Sequence, residues 1–281
     1  MLAGFLLALR EGIEAALIIS IVLGMLKKMN RSDRAPVVWL GVGVAAALSV
    51  GAAILLSIIG AEFTGAGEQI FEAVTMLLAA AILTWMIFWM QKQGRQIQKG
   101  LEADVREALS GGQTVALFSV AFFAVLREGI ELALFLTAVN FSSPLVGGDA
   151  PILGWLGGVL GLITAIVLGW LMYTSALKLN LRRFFQFTSI VLIFFAAGLV
   201  GHAVHELNEL NWIPPVVEHV YDLNPIVPET STVGEFLKAL LGYNGNPSLT
   251  EMTAYLGFFV IVFGLLRYFN RKSAAEAAAA A

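Results

Sequence analysis

The chain has 281 residues, 58% of them hydrophobic and only 13% charged, and its mean hydropathy is +0.83. The soluble average is about 25% charged, so the composition excludes an ordinary water-soluble domain and points to a bilayer. No cysteine is present, which excludes disulfides and thiolate metal centres, and the net charge of −3 says little until it is divided between two membrane faces.

Apolar stretches of about 18 residues or more, long enough to cross hydrocarbon as helices, fall near 2–26, 36–60, 69–90, 114–140, 151–176, 185–206 and 251–269. Lipid offers the backbone no partners, so each is expected to be a helix. Met1 to Leu9 lacks a basic segment and the apolar run continues past Arg10 to Leu26, so the first helix is expected to remain in the mature protein. Pro36 and Pro151 stand in the first turns of the second and fifth spans, where a missing amide donor costs little. Ser248 and Glu251 form a capping box before the seventh.

Between the spans, the segment from Lys92 to Gly112 mixes both charges and reads as a solvated helix. The stretch between spans six and seven holds five of the eight prolines. It also carries Glu209, Glu218, Asp222, Glu229 and Glu235 against Lys238, an acidic vestibule that would concentrate cations. Within it, Val233, Phe236, Leu237, Leu240 and Leu241 follow a Thr232 to Glu235 capping box and predict a short amphipathic helix. The tail after Ser273 is nearly all alanine and reads as an appended or disordered end.

Fourteen of the seventeen lysines and arginines fall on one side: Lys27, Lys28, Arg31, Arg34, Lys92, Arg95, Lys99, Arg106, Lys178, Arg182, Arg183, Arg267, Arg271 and Lys272. Positive charge marks the cytoplasmic face, so the N-terminus is expected outside and the C-terminus in the cytoplasm.

The chain also repeats itself. Leu9-Arg10-Glu11-Gly12-Ile13-Glu14 recurs as Leu126 to Glu131, and Ala35-Pro36 with Trp39-Leu40-Gly41 recurs as Ala150-Pro151 with Trp155-Leu156-Gly157. Spans one to three thus match spans four to six. Because three is odd, the copies run in opposite directions, the inverted plan of many secondary transporters. The expected fold is an all-α polytopic membrane protein of seven transmembrane helices, a 3+3 inverted repeat plus one C-terminal helix. Its parts are 1–112 (first repeat with cytoplasmic loop), 113–206 (second repeat), 207–250 (extracytoplasmic loop) and 251–281 (last span and tail).

Each Arg-Glu-Gly-Ile-Glu places three ionisable groups inside an apolar run, at roughly 2.5–3.5 kcal/mol apiece near a helix centre. Such groups persist where a binding site or polar pathway needs them. Both copies reach a similar depth, near the middle of the bilayer. Glutamates three positions apart share a helix face, so Glu11, Glu14, Glu128 and Glu131 can converge on one metal ion. Arg10 and Arg127 each stand one turn from a glutamate and offset part of the repulsion; all six groups ionised give −2. Oxygen-only ligands suit hard ions such as ferric iron, manganese, magnesium or calcium rather than copper(I). Gly12 and Gly129 are expected to let the two motif helices approach each other, and Gly154, Gly157, Gly158 and Gly161 to serve helix packing.

The doubled Arg-Glu-Gly-Ile-Glu in a seven-span chain resembles the signature of the oxidase-dependent iron permeases, fungal high-affinity and bacterial EfeU-type. The resemblance implies import of ferric or ferrous iron across the plasma or bacterial inner membrane, with these four glutamates as metal ligands. Iron is then the substrate, with no permanently bound cofactor, and an extracytoplasmic oxidase or iron-delivery protein is the implied partner beside membrane lipid. The family also admits lead, and the ligand chemistry admits manganese. A possible outer metal site gathers Glu68 and Glu72 at the start of span three with His202, His205, Glu206 and Glu209 at the end of span six.

No nucleic-acid partner is expected, and no phosphate-binding loop points to ATP drive. The rival from another class, a membrane di-iron carboxylate redox enzyme, would use Glu-x-x-His spacings, which the chain lacks. A transporter without enzymatic activity is the expectation.

Overall fold

The computed structural model describes residues 1–93, 114–142, 150–174 and 180–279, and among these no strand occurs. Eight α-helices occur among the described residues, in order: α1 Leu2–Lys28, α2 Ala35–Glu62, α3 Ala66–Gln93, α4 Thr114–Phe141, α5 Ala150–Tyr173, α6 Leu181–Glu209, α7 Thr232–Leu241 and α8 Leu249–Ala279. The charged segment read as a solvated helix lies, from residue 94 to Gly112, outside the described residues.

Among the described residues, five stretches are long and apolar enough to cross a membrane: Ser32–Glu62, Ala66–Met90, Gly154–Tyr173, Arg183–Glu209 and Leu249–Tyr268. The other two expected spans, α1 and α4, have comparable lengths of 27 and 28 residues but carry the two charged motifs near their centres. On α2 the side chains of Leu40, Val50 and Ile54 are exposed, as are Ile163, Ile166 and Trp170 on α5, the pattern of helices that face hydrocarbon.

Local chemistry fixes the helix ends. Lys27 and Lys28 occupy the last turn of α1, where cations complement the negative end of the dipole. Pro36 opens α2. The capping box before α8 is reciprocal: Glu251 N donates to Ser248 Oγ at 3.2 Å and Ser248 N to Glu251 Oε1 at 3.3 Å. The cap of α7 is Ser231, accepting from Gly234 N at 3.0 Å, rather than Thr232. Ser231 keeps an extended backbone while Thr232 already lies inside the helix, so its side chain cannot serve as the cap. Gly242 ends α7 in the left-handed region, φ 65°. Far from ending near 269, α8 continues through the alanine tail to Ala279, alanine being the residue least costly to hold in a helix.

The chain divides into two compact units, one of Met1–Thr64 with Gln91–Thr188 and one of Gly65–Met90 with Ser189–Ala281. In the first, α1 packs along α5, α2 along α4, and α1 also meets α4. Added Cβ atoms at Gly157 and Gly161 would strike Met1 and Phe5, and at Gly169 Ala16, so α1 and α5 run side by side in the same direction. Gly41 lies against Phe118 and Phe122 and Gly129 against Ser49, so α2 and α4 are likewise parallel. Gly4 meets Leu136, whereas Glu11 meets Glu128 and Glu131, so α1 and α4 are antiparallel. Val22, Met25 and Leu26 of α1 pack with Val38 of α2 and Leu117 and Ala121 of α4 as a buried cluster.

The glycines of α5 pack helices, as expected. Gly12 and Gly129, however, do not bring α1 and α4 together. Gly12 stands against Leu162 and Ala165 of α5, and Gly129 against Ser49 of α2. A bare backbone is needed where the neighbouring helix crosses closest, and that neighbour is α5 or α2.

In the second unit, Phe194 of α6 packs on Phe259 of α8 with ring centroids 5.1 Å apart, and Gly198 of α6 abuts Gly242. The Asn208 amide bonds Ser248 Oγ at 2.8 Å and Thr250 Oγ1 at 3.0 Å. The connection from α6 to α8 is pinned by Leu223 N to Gly245 O at 2.8 Å, Val220 N to Pro247 O at 3.0 Å and Leu249 N to Val217 O at 3.0 Å. Backbone pairing of this kind holds a proline-rich connection in one conformation.

Candidate metal centre

Helical spacing puts Arg10, Glu11 and Glu14 of α1 on the face turned to α4, where all three are buried. Arg10 reaches both acids: Nη1 lies 2.9 Å from Glu11 Oε1 and Nη2 3.1 Å from Glu14 Oε1. In α4, Arg127 Nε lies 2.8 Å from Glu131 Oε1 and 4.0 Å from Glu128 Oε1. The two arginines differ in setting, since the Arg10 side chain is fully buried and that of Arg127 is 41% exposed.

One oxygen from each of Glu11, Glu128 and Glu131 lies within 4.8 Å of the other two. At an effective dielectric of about 20, each such pair of charges repels by roughly 3–4 kcal/mol. The Oε2 atoms of Glu11, Glu128 and Glu131 are buried without a hydrogen-bond donor, a costly state for a polar oxygen. A cation at the centre would relieve both costs. Points 4.8 Å apart share a centre no more than roughly 2.8 Å away, against about 2.0–2.6 Å for carboxylate oxygens on hard divalent ions, so small rotamer shifts close the site. Glu14, expected as a fourth ligand, stands outside this triad, its carboxylate on Arg10.

The six outer residues do not form one centre. Glu72 lies in the field of Glu206, Glu68 and Glu209, and Gln69 Nε2 donates to Glu209 Oε2 at 2.5 Å. His205 bridges two acids, with Nε2 3.4 Å from Glu209 Oε1 and Nδ1 3.1 Å from Glu251 Oε1. His202 is turned elsewhere, its Nδ1 bonded to Gly198 O at 2.9 Å. Among the described residues only the triad brings three carboxylate or histidine ligand atoms within 4.8 Å.

Two residues escaped the sequence reading. Ser49, buried against Gly129, carries no motif, although its position opposite a repeated glycine was a usable signal. Glu251 was visible as a cap, but its bond to His205, 46 residues away, had no local signal.

Residues 1–275 match the family described as "Iron permease FTR1 family". The chain is 37% identical over 262 residues to the "Ferrous iron permease EfeU" of Escherichia coli O6:K15:H31 (strain 536 / UPEC), covering 92% of this chain and 93% of that protein. It is 36% identical over 285 residues to the "Ferrous iron permease EfeU" of Yersinia pestis, covering 100% of this chain and 98% of the relative. No solved structure matches the chain significantly. These relatives are named as transporters rather than enzymes, and their likeness runs the length of a chain rich in membrane-crossing helices. The chain is a multi-pass membrane protein and belongs to the iron permease FTR1 family.

Proposed function

We propose that the chain imports iron across the inner or plasma membrane through the Glu11, Glu128 and Glu131 triad. The observation that carries this reading is the meeting of two buried carboxylates, Glu11 and Glu128, and the partly buried Glu131 from two antiparallel helices, with three oxygens lacking donors. A ferrous ion is the favoured cargo. The relatives are named for ferrous iron, and four glutamates with two arginines leave −2, which a dication neutralises.

An arriving ion exchanges water for the triad oxygens. Glu14, held by Arg10, is the next ligand, released when the ion's charge draws Arg10's partners away. Iron is cargo, and no resident cofactor is required. Supply by an extracytoplasmic oxidase or iron-delivery protein fits the acidic outer carboxylates Glu68, Glu72, Glu206 and Glu209 as a first metal contact.

The same proposal includes seven spans in a 3+3 inverted repeat plus one, with the N-terminus outside and the C-terminus cytoplasmic. Parallel α1 and α5, parallel α2 and α4, and antiparallel α1 and α4 support it, since successive crossings alternate in direction. Reciprocal contacts support it further. Gly41 meets Phe118 and Phe122, while Gly157 meets Met1 and Phe5; Gly129 meets Ser49, while Gly12 meets Ala165. Corresponding members stand 116 or 117 positions apart, as a pseudo-two-fold axis requires.

Uptake of radiolabelled ferrous iron into proteoliposomes tests the function. Glu128→Gln with Glu131→Gln is expected to reduce the rate at least tenfold. A variant that imports iron at the wild-type rate removes the triad as the pathway.

A further inference from the structure

The connection from α6 to α8 is tied to its two flanking helices at more than one depth. His205 Nδ1 lies 3.1 Å from Glu251 Oε1, and Glu206 and Glu209 stand beside them in the sequence. Ionisable groups gathered at one end of two apolar helices mark the rim where both leave hydrocarbon. On the other side of that rim run the membrane-crossing stretches of α6 and α8.

The end of α7 is fastened below the rim. Gly242 packs on the backbone of Gly198 so closely that a Cβ on either glycine would strike the other residue. Gly198 precedes His205 by about two turns of α6, roughly 10 Å. Tyr255, one turn beyond Glu251 in α8, donates its hydroxyl to Leu241 O at 2.6 Å. The hydrocarbon layer is about 30 Å thick, so the last turn of α7 stands well inside its nearer half.

Irregular backbone survives at that depth only where its polar groups are paired within the protein. The turn after α7 meets this demand. Gly242 N donates to Lys238 O at 2.9 Å, Gly245 N to Glu229 Oε1 at 2.7 Å and Asn246 N to Asn244 Oδ1 at 2.9 Å, while Leu223 N donates to Gly245 O at 2.8 Å. Tyr243 Oη donates to Val227 O at 2.9 Å and Asn244 Nδ2 to Glu251 Oε2 at 2.6 Å.

The faces of α7 are sorted to match. Leu237 and Leu241 line a cavity shared with Gly198, His202 and Tyr255, which defines the inner face. Lys238 is only 11% exposed, and its Nζ lies 3.6 Å from Glu229 Oε2, so its charge is paired and withdrawn. Val233 and Phe236, one turn apart, are both exposed, Phe236 by 51%. In water such a surface forfeits hydrophobic stabilisation. In a bilayer it is an ordinary lipid-facing surface, like Val260 and Phe263 of α8, which are exposed as well.

We propose that α7 is a re-entrant membrane element that enters from the face where α6 ends and presents Val233 and Phe236 to lipid acyl chains, rather than part of a loop standing clear of the bilayer. The proposal needs only the membrane spans and holds whatever ion the chain carries.

The chain has no cysteine, so single-cysteine variants in lipid nanodiscs each carry one nitroxide label. Electron paramagnetic resonance then compares collisions with oxygen, which concentrates in hydrocarbon, and with a neutral nickel chelate, which stays in water. Val260→Cys sets the lipid standard. Glu218→Cys sets the water standard, because Glu218 is exposed and follows Val217, whose carbonyl accepts from Leu249 N at the very start of α8.

The oxygen-to-nickel collision ratio of Phe236→Cys is expected to match that of Val260→Cys and to exceed that of Glu218→Cys by about fivefold or more. Val233→Cys is expected to agree. Ratios at both α7 positions equal to that of Glu218→Cys put the helix in water and overturn the proposal. Slow collision with both reagents means that a protein surface, such as a second copy of the chain, covers this face, and overturns it equally. Both positions are exposed, so neither substitution empties the core, and failure of one variant leaves the other to decide.

Discussion

Gly129 of α4 stands so close to Ser49 of α2 that a Cβ on the glycine would overlap the serine side chain, itself fixed by Ser49 Oγ donating to Ala45 O at 2.8 Å. Gly129→Ala is expected to destabilise the chain by about 1–3 kcal/mol through overpacking. Ser49→Gly in the same chain is expected to restore most of the loss. Thermal unfolding of the two single variants and the double variant in detergent measures the coupling; strict additivity would show that the two residues do not share one space.

Glu14 and the triad separate in a binding experiment. Because Glu14 stands outside the cluster of Glu11, Glu128 and Glu131, Glu14→Gln is expected to change ferrous affinity less than about threefold while slowing uptake at least tenfold. Glu128→Gln is expected to weaken binding tenfold or more, the loss of a direct charged ligand. Dialysis and proteoliposome flux on the same preparations check both. Equal loss of affinity in the two variants would place Glu14 among the primary ligands.

The arginines are also expected to differ. Arg10→Met strands Glu11 and Glu14 in a buried setting, and removing one partner of a buried pair costs about 3–5 kcal/mol. Arg127 is 41% exposed, so Arg127→Met leaves its acids nearer to solvent and lowers stability much less. Unfolding midpoints of the two variants, compared side by side, decide the matter; a larger drop for Arg127→Met contradicts it.

Glu251 serves Ser248 N, Asn244 Nδ2 and His205 at once. Glu251→Ala removes the return half of the capping box and leaves these partners unsatisfied, for an expected loss of about 1–3 kcal/mol. Ser248→Ala removes one cap bond and is expected to cost about 1 kcal/mol. Urea titration of tryptophan fluorescence compares them, and equal losses would reduce Glu251 to a cap alone.

Much of the helical architecture was legible because hydrophobic runs and turn residues act locally. Pro36 marked the start of α2 and the Ser248 to Glu251 box that of α8. The motif glutamates were legible because charge in an apolar run is costly wherever it occurs. What sequence periodicity missed depends on rotamers and distant neighbours. Spacing gives Glu11 and Glu14 equal access to one point, and Arg10 reaches both, yet Glu11 alone of the two joins the α4 carboxylates. The glycines signalled close packing without naming the helix they meet. His202 and His205 were grouped by their three-residue interval, yet one bonds a carbonyl in its own helix and the other reaches α8.

The reciprocal seating of Gly12 on α5 and Gly129 on α2 has a consequence for how the polypeptide matures. Each motif helix finds its closest companion in the other half of the chain, α1 on α5 and α4 on α2, so a fragment ending at residue 112 emerges with sticky, unsatisfied grooves and no internal mate for them. Such a fragment should accumulate only when residues 113–281 are supplied in trans, and the two pieces should co-purify as a nicked but complete protein.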